Sequence, residues 1–227
     1  MPKVNFIFNK EKDLWNIHRV CNREYRFSNP SLGMPKKVLD IAKGKTLGAC
    51  RKALEKNYKP VHNSPLIPIV LKAADEAWSR INDEYFDILQ KITKKPICAD
   101  IFTAELTVVG SCPYDTCKNS FMFGMFMSIP GIVATAAHEI MHLQFHKYFW
   151  EKTEKEIGFD KTDDLKEALT VLLNSEFRHL WFVQDEGYDS HQELREFINT
   201  QWKKDKDFGK LIKECVIYLK EKDKNRN

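Results

Sequence analysis

The chain has 227 residues, 43% of them hydrophobic and 30% charged, with 36 Lys and Arg against 32 Asp and Glu. That is an ordinary globular mix, long enough for one large domain or two small ones. The formal net charge of +4 is small and spread along the chain, so no nucleic-acid partner is expected.

The N-terminus carries only a short apolar patch, Val4 to Phe8, and then charges. No signal peptide is expected, and the protein reads as cytoplasmic. Residues 4–8 predict a short strand, and residues 10–21 a helix with Asn9 as its N-cap. Residues 28–33 read as a loop, and residues 36–42 and 45–56 as two short helices. Ser64-Pro65 opens what reads as one long helix, with Ser as N-cap and Pro at the first helical position. Its apolar stripe is Leu66, Val70, Ala73, Ala77, Ile81, Ile88 and Leu89, and it ends near Lys94-Lys95-Pro96. His18 and His62 are isolated in this part and read as surface or core-edge residues.

Character changes at Pro96. Residues 97–109 are rich in β-branched side chains and bounded by Gly110-Ser111; residues 120–127 are aromatic and Met-rich. Both read as strands, joined by a loop over residues 112–119. The Phe and Met side chains of the second read as core rather than as a substrate pocket. The six cysteines form no CxxC pair and read as reduced thiols; a Cys112–Cys117 disulfide or a structural metal is the alternative. The apolar stretch 121–137 is interrupted by Gly124, Ser128, Pro130 and Gly131. It reads as a buried strand feeding a helix, not as a membrane span.

That helix carries His138-Glu139-Ile140-Met141-His142, an HExxH sequence in a run free of Gly and Pro from Ile132 to Glu156. Residues at i and i+4 stand on one helical face, so both imidazoles reach a single ion. Glu139 lies about 100° round the helix from His138. Zn²⁺ held by the two histidines lowers the pKa of water to about 7, and Glu139 is placed to take the proton as general base. A third ligand is needed. His146 stands about 12 Å from His138 along the axis, too far to share the ion with both histidines.

Downstream, residues 163–174 predict a helix capped by Thr162 or Asp163. Glu167, Thr170 and Asn174 recur at i, i+3 and i+7 as a polar seam on an apolar helix. A buried polar seam needs partners, which a metal site supplies. Glu167 is therefore the expected third ligand, with Thr170 and Asn174 orienting the site. Glu176, nine residues on, turns to the opposite face. This helix reads as extending toward Trp181. Residues 185–189 read as a turn, Ser190-His191-Gln192-Glu193 as a capping box, and residues 207–222 as a last amphipathic helix. The basic tail of Lys220, Lys222, Lys224 and Arg226 reads as a solvated, frayed end.

HExxH on one helix and Glu on a following one resembles the gluzincin zinc metallopeptidases, which include thermolysin-like enzymes and the compact minigluzincins. The resemblance covers roughly residues 98–176. It implies a zincin-like fold with a small sheet ahead of the HExxH helix, an edge strand that pairs with extended substrate, Zn²⁺ on His138, His142 and Glu167, and Glu139 as base. It also implies an oxyanion donor from a later Tyr or His, for which Tyr188 and His191 are the candidates and His179 a weaker one. The chain departs from the family's Glu-x-x-x-Asp signature at Val171.

The expected protein is a single α+β domain over residues 1–227, mostly helical, with an N-terminal helical part (1–95) and a catalytic part (96–227). The expected function is a zinc-dependent peptidase acting on a peptide or protein substrate, without membrane association. The alternatives are a zinc hydrolase of a non-peptide amide, or a latent zinc-site protein acting as a binding module, its site blocked by the basic C-terminal segment.

Overall fold

Strand β1 (Lys3–Ile7) passes almost directly into helix α1 (Lys10–Asn22), because the Asn9 side chain accepts from the backbone N–H of Glu11 and Lys12. The computed structural model describes residues 1–23, 26 and 30–224. Residues 28 and 29 of the expected loop lie outside that set, and Pro30–Gly33 is a short 3-10 turn. The protein is α+β, 66% helical with a small four-stranded mixed sheet.

The chain divides into two units that interleave in sequence. One comprises Met1–Lys3, Arg80–Asp100 and Ala137–Asn227; the other comprises Val4–Ser79 and Ile101–Ala136. The boundaries of these units fall at Ser79–Arg80, Asp100–Ile101 and Ala136–Ala137.

The Val4–Ser79 and Ile101–Ala136 unit holds the sheet. After α1 come α2 (Lys36–Ala42), α3 (Leu47–His62) and α4 (Leu66–Ser79). Helix α3 starts behind the Thr46 cap and runs past the expected end at residue 56, through Pro60. The expected single helix over residues 66–94 is two helices, α4 and α5 (Asn82–Thr93). No Gly or Pro marks the break. The Ser79 hydroxyl donates to Glu76 O at 2.8 Å, and Asn82 Nδ2 donates to Pro2 O at 3.0 Å, so a contact distant in sequence resets the chain. The buried stripe differs accordingly: Ile67, Ala74 and Trp78 in α4, and Tyr85, Phe86, Leu89 and Ile92 in α5, while Leu66 is exposed.

Strands β2 (Ile101–Thr107), β3 (Tyr114–Asp115) and β4 (Ser120–Gly124) complete the sheet in the order β1-β2-β4-β3. β4 pairs parallel with β2, Glu105 opposite Met122, and β3 folds back antiparallel on β4. The edge strands are β1 and the two-residue β3. Phe121, Met122, Phe123 and Met125 are core, whereas Phe126 is exposed. Asp13 of α1 anchors the helix: its Oδ1 accepts from the Thr107 hydroxyl at 2.7 Å and from Val108 N at 3.0 Å. His62, read as a surface or edge residue, is buried because its Nε2 sits 2.7 Å from Asp13 Oδ2.

Helix α6 (Ile129–Phe145) begins where the Ser128 hydroxyl accepts from Gly131 N, so the Pro130-Gly131 pair opens the helix instead of interrupting it. It continues through a π turn at His146–Trp150 into α7 (Glu151–Ile157), which Gly158 ends at φ 78°. In the unit that includes Ala137–Asn227 follow α8 (Phe159–Leu169), a 3-10 turn at Thr170–Leu172, α9 (Leu173–Glu176), α10 (Gln192–Lys204) and α11 (Phe208–Lys224). Helix α8 starts at Phe159, ahead of the expected cap at Thr162 or Asp163. Gly158 makes the break, and the Thr162 hydroxyl instead donates back to Gly158 O at 2.8 Å. The helix does not reach Trp181, because α9 stops at Glu176 and residues 181–188 carry no regular structure. The expected Ser190 capping box is absent: Asp189–His191 is a 3-10 turn, and Gln192 Nε2 donates to Glu186 O and Tyr188 O.

The expected frayed tail is helical through Lys224. Lys220 Nζ lies 3.1 Å from Glu156 and Lys222 Nζ 2.6 Å from Glu193; Arg226 lies outside the described residues. None of the six cysteines forms a disulfide, Cys112 and Cys117 included. No described helix is long and apolar enough to cross a membrane.

Candidate metal centre

The site is built within one unit, on α6, α8 and the irregular segment 181–188. Tyr85 of α5 secures the floor of α6: its hydroxyl donates to Ala137 O at 2.7 Å, one residue before His138. His138 and His142 then project together, their ring centroids 4.3 Å apart. Both aim Nε2 at Glu167 Oε2 of α8, His138 at 3.7 Å and His142 at 3.4 Å. Their ligating atoms all lie within 4.8 Å of one another. Tetrahedral ligands with bonds near 2.0–2.2 Å stand about 3.3–3.6 Å apart, and the two separations to Glu167 lie close to that range, so the cluster could hold a metal ion.

The other carboxylate oxygen, Glu167 Oε1, is turned away from the histidines. It lies 2.7 Å from Lys166 Nζ, which is itself 2.8 Å from Asp163 Oδ1. Lys166 is buried, with a side-chain exposure of 4%. Burial opposes ionisation of Glu167, but His142, His138 and Lys166 around it hold it well below the usual carboxylate range. Burial pushes His142 down to about 3, which leaves a neutral imidazole with a lone pair to give.

Glu139 is 7% exposed, and its Oε2 has no hydrogen-bond partner among the described residues. A buried carboxylate oxygen left unpaired is costly, and such atoms mark a missing ion, water or substrate. Burial pushes Glu139 up to about 7 against the pull of His138. The orphaned oxygen and the N, N, O donor set together fit a divalent metal such as zinc.

Behind His138 stands a residue that sequence reasoning read only as part of a turn. Asp185 Oδ2 lies 2.6 Å from His138 Nδ1. Asn174 grips the Asp185 backbone from both sides: Asp185 N donates to Asn174 Oδ1 at 2.8 Å, and Asn174 Nδ2 donates to Asp185 O at 2.8 Å. The Thr170 hydroxyl lies 2.9 Å from Asp185 Oδ1 and 2.7 Å from Glu167 O. Arg195 of α10 adds Nη1 at 2.9 Å from Asp185 Oδ1. The polar seam of Glu167, Thr170 and Asn174 therefore meets at the site, with Thr170 and Asn174 acting on Asp185. Burial would raise Asp185, yet His138 and Arg195 hold it well below the usual range. Burial also works against charge on His138, and Asp185 outweighs it, keeping that imidazole well above its ordinary value. Gly187 is required beside this clamp: its φ is 65°, and a Cβ there would stand 2.6 Å from Arg195 Nη1.

Tyr188 is half-buried at the site. Burial and the Glu167 and Glu139 carboxylates push its phenol up to about 12. His191 is turned elsewhere, buried with its Nε2 3.1 Å from Asp164 Oδ1. His179 sits 2.9 Å from Glu84. His146 lies on the π turn, stacked on Trp150 at 4.1 Å, and burial lowers it to about 4. Glu176 accepts from Trp202 Nε1 at 2.8 Å and from Lys206. None of these last four joins the ligand cluster. Lys166, Asp185 and Arg195 were missed because each acts through side-chain position off the helical periodicity. The unpartnered seam of Thr170 and Asn174 was the available signal that a further polar group faced them.

Comparison with known proteins finds no matching family model, no matching curated protein and no matching solved structure.

Proposed function

We propose that the protein is a zinc-dependent peptidase of gluzincin type, with a zincin-like catalytic unit. The observation that carries the reading is the convergence of His138, His142 and Glu167 beside the unpartnered Glu139 carboxylate. His138 Nε2, His142 Nε2 and Glu167 Oε2 would hold the ion. A zinc ion bound there lowers the pKa of water and polarises a carbonyl. Glu139 Oε2 receives the proton from the attacking water and returns it to the leaving amide nitrogen. The Tyr188 phenol keeps its own proton at neutral pH and donates to the carbonyl oxygen as negative charge develops there. Asp185 fixes the ring of His138. The family's downstream acid is replaced by the buried Val171, and the carboxylate on His138 comes from Asp185 instead.

The test is cleavage of a quenched peptide library by purified protein. Activity is expected with zinc, absent after chelation and restored by zinc; Glu139→Gln is expected to retain zinc and lose turnover. A zinc-loaded, folded protein that cleaves neither peptides nor casein would remove the peptidase reading.

A further inference from the structure

In the unit that holds the sheet, another buried carboxylate has one oxygen without a hydrogen-bond partner among the described residues. Glu105 lies on β2, one of the two inner strands, and is 2% exposed. Its Oε1 pairs with Lys12 Nζ of α1, and its Oε2 has no hydrogen-bond partner among the described residues. Elsewhere on α1, Asp13 and Asn16 bond Thr107, so the helix is fitted closely to this strand. A buried carboxylate oxygen left unsatisfied is costly, so its presence here points to a ligand.

Glu105 lines a cavity of about 270 Å³, together with Lys12 and Trp15 of α1, Tyr114 of β3, and Ser120 and Met122 of β4. The parallel register pairs Glu105 with Met122 and Thr103 with Ser120, which puts Glu105, Met122 and Ser120 on one face of the sheet. Trp15 lines the cavity and is 46% exposed, with the Arg19 guanidinium 5.7 Å from its ring centroid, and a partly exposed aromatic ring suits stacking on a flat ligand.

The chemistry of the pair selects the ligand. The carboxylate offers an acceptor, and the Lys12 ammonium beside it keeps further N–H donors. A bare cation or an amine would meet Lys12 as a like charge. A group with an N–H next to a C=O meets both halves of the pair. We propose that this cavity binds a small planar heterocycle with a cis-amide edge, a free nucleobase or nucleoside of uracil or hypoxanthine type. The ring N–H donates to Glu105, the adjacent carbonyl accepts from Lys12, and the ring lies against Trp15.

The test titrates uracil and hypoxanthine into the zinc-loaded full chain, followed by calorimetry and saturation-transfer NMR. 1,3-Dimethyluracil, which lacks the N–H, and benzylamine, which lacks the carbonyl, are the comparison probes. At least one base is expected to bind, with affinity falling at least tenfold in Glu105→Gln and in Trp15→Ala, and neither comparison probe should bind as well. Trp15→Ala changes a partly exposed side chain, so it keeps the test valid if Glu105→Gln fails to fold. Binding is also expected to survive in His142→Ala, which separates this site from the metal centre. The proposal is overturned if neither base binds, if the dimethyl analogue or the amine binds equally well, or if folded Trp15→Ala binds with wild-type affinity.

Discussion

Asp185 Oδ2 stands 2.6 Å from His138 Nδ1, and the backbone N–H and C=O of Asp185 are both held by Asn174. A metal-binding imidazole oriented by a carboxylate on its other nitrogen gains basicity and a fixed ring plane. Asp185→Asn should therefore weaken zinc binding by about 10–100-fold while keeping the fold. Asn174→Ala, which loosens the same carboxylate without touching the ring, should produce a smaller loss. Chelator competition measures both, and wild-type affinity in Asp185→Asn would show that the contact is incidental.

Lys166 stands between two acids at the site, 2.8 Å from Asp163 and 2.7 Å from Glu167. Removing one member of a buried ion group leaves the other charges uncompensated, at a cost of about 3–5 kcal/mol. Lys166→Ala should show that loss in the zinc-free protein. Zinc on Glu167 supplies a replacement positive charge, so the loss should shrink when zinc is saturating. Urea unfolding of both proteins with and without zinc decides it; an equal loss in the two states would mean that Lys166 supports only Asp163.

The parts of this architecture that were legible in sequence are those fixed by near neighbours. Asn9 capped α1 as its side chain required, and α2 occupies residues 36–42 as read. HExxH placed His138 and His142 on one face, and spacing alone put Glu167 on the same seam as Thr170 and Asn174. The failures all have distant causes. The break between α4 and α5 depends on Asn82 reaching Pro2, which no local pattern announces. Asp185 sits in irregular chain, where no period marks a direction, and its role exists only because Asn174 and Arg195 converge on it. Thr162 had the chemistry of a cap, but Gly158 had already turned the chain.

The choice of third ligand gives a direct comparison. Glu167→Ala should abolish stoichiometric zinc after dialysis, as should His142→Ala. Glu176→Ala should not, because Glu176 is held by Trp202 and Lys206. Nor should His146→Ala, whose ring is stacked on Trp150. Elemental analysis of the dialysed proteins reads the result; loss of zinc in Glu176→Ala or His146→Ala, with Glu167→Ala still loaded, would reassign the ligand.

Two thiols make stability sensitive to alkali. Burial pushes Cys98 up to about 11 and Cys215 up to about 12, from 9.0. Folding thus favours the protonated thiols, and the unfolded chain releases their protons first. Their contribution is fully present below pH 9 and is lost as pH rises from 9 toward those folded values, at about 1.4 kcal/mol per unit per group. Denaturant midpoints should fall between pH 9 and 10, and Cys98→Ala with Cys215→Ala should flatten that fall. Exposed Cys117 should alkylate first at pH 8, and buried Cys215 last. An unchanged slope in the double variant would remove the thiols as its source.

Tyr188 and His191 were equal candidates for the oxyanion donor in sequence, and their environments now separate them. The Tyr188 phenol responds to both the Glu167 and Glu139 carboxylates, and at about 12 it remains a donor throughout the neutral range. His191 is buried against Asp164, on the far end of the 3-10 turn that starts α10. Tyr188→Phe removes one hydroxyl and little volume. It should leave zinc content and KM near wild type and lower kcat by about 10²-fold, the scale of losing one oxyanion donor. His191→Gln should instead lower the melting temperature while kcat stays within a few-fold, since it disturbs a buried contact and no reacting atom. Steady-state kinetics on one peptide, alongside melting curves for both variants, distinguish the roles. A kcat collapse in folded His191→Gln with Tyr188→Phe fully active would transfer the donor role to His191.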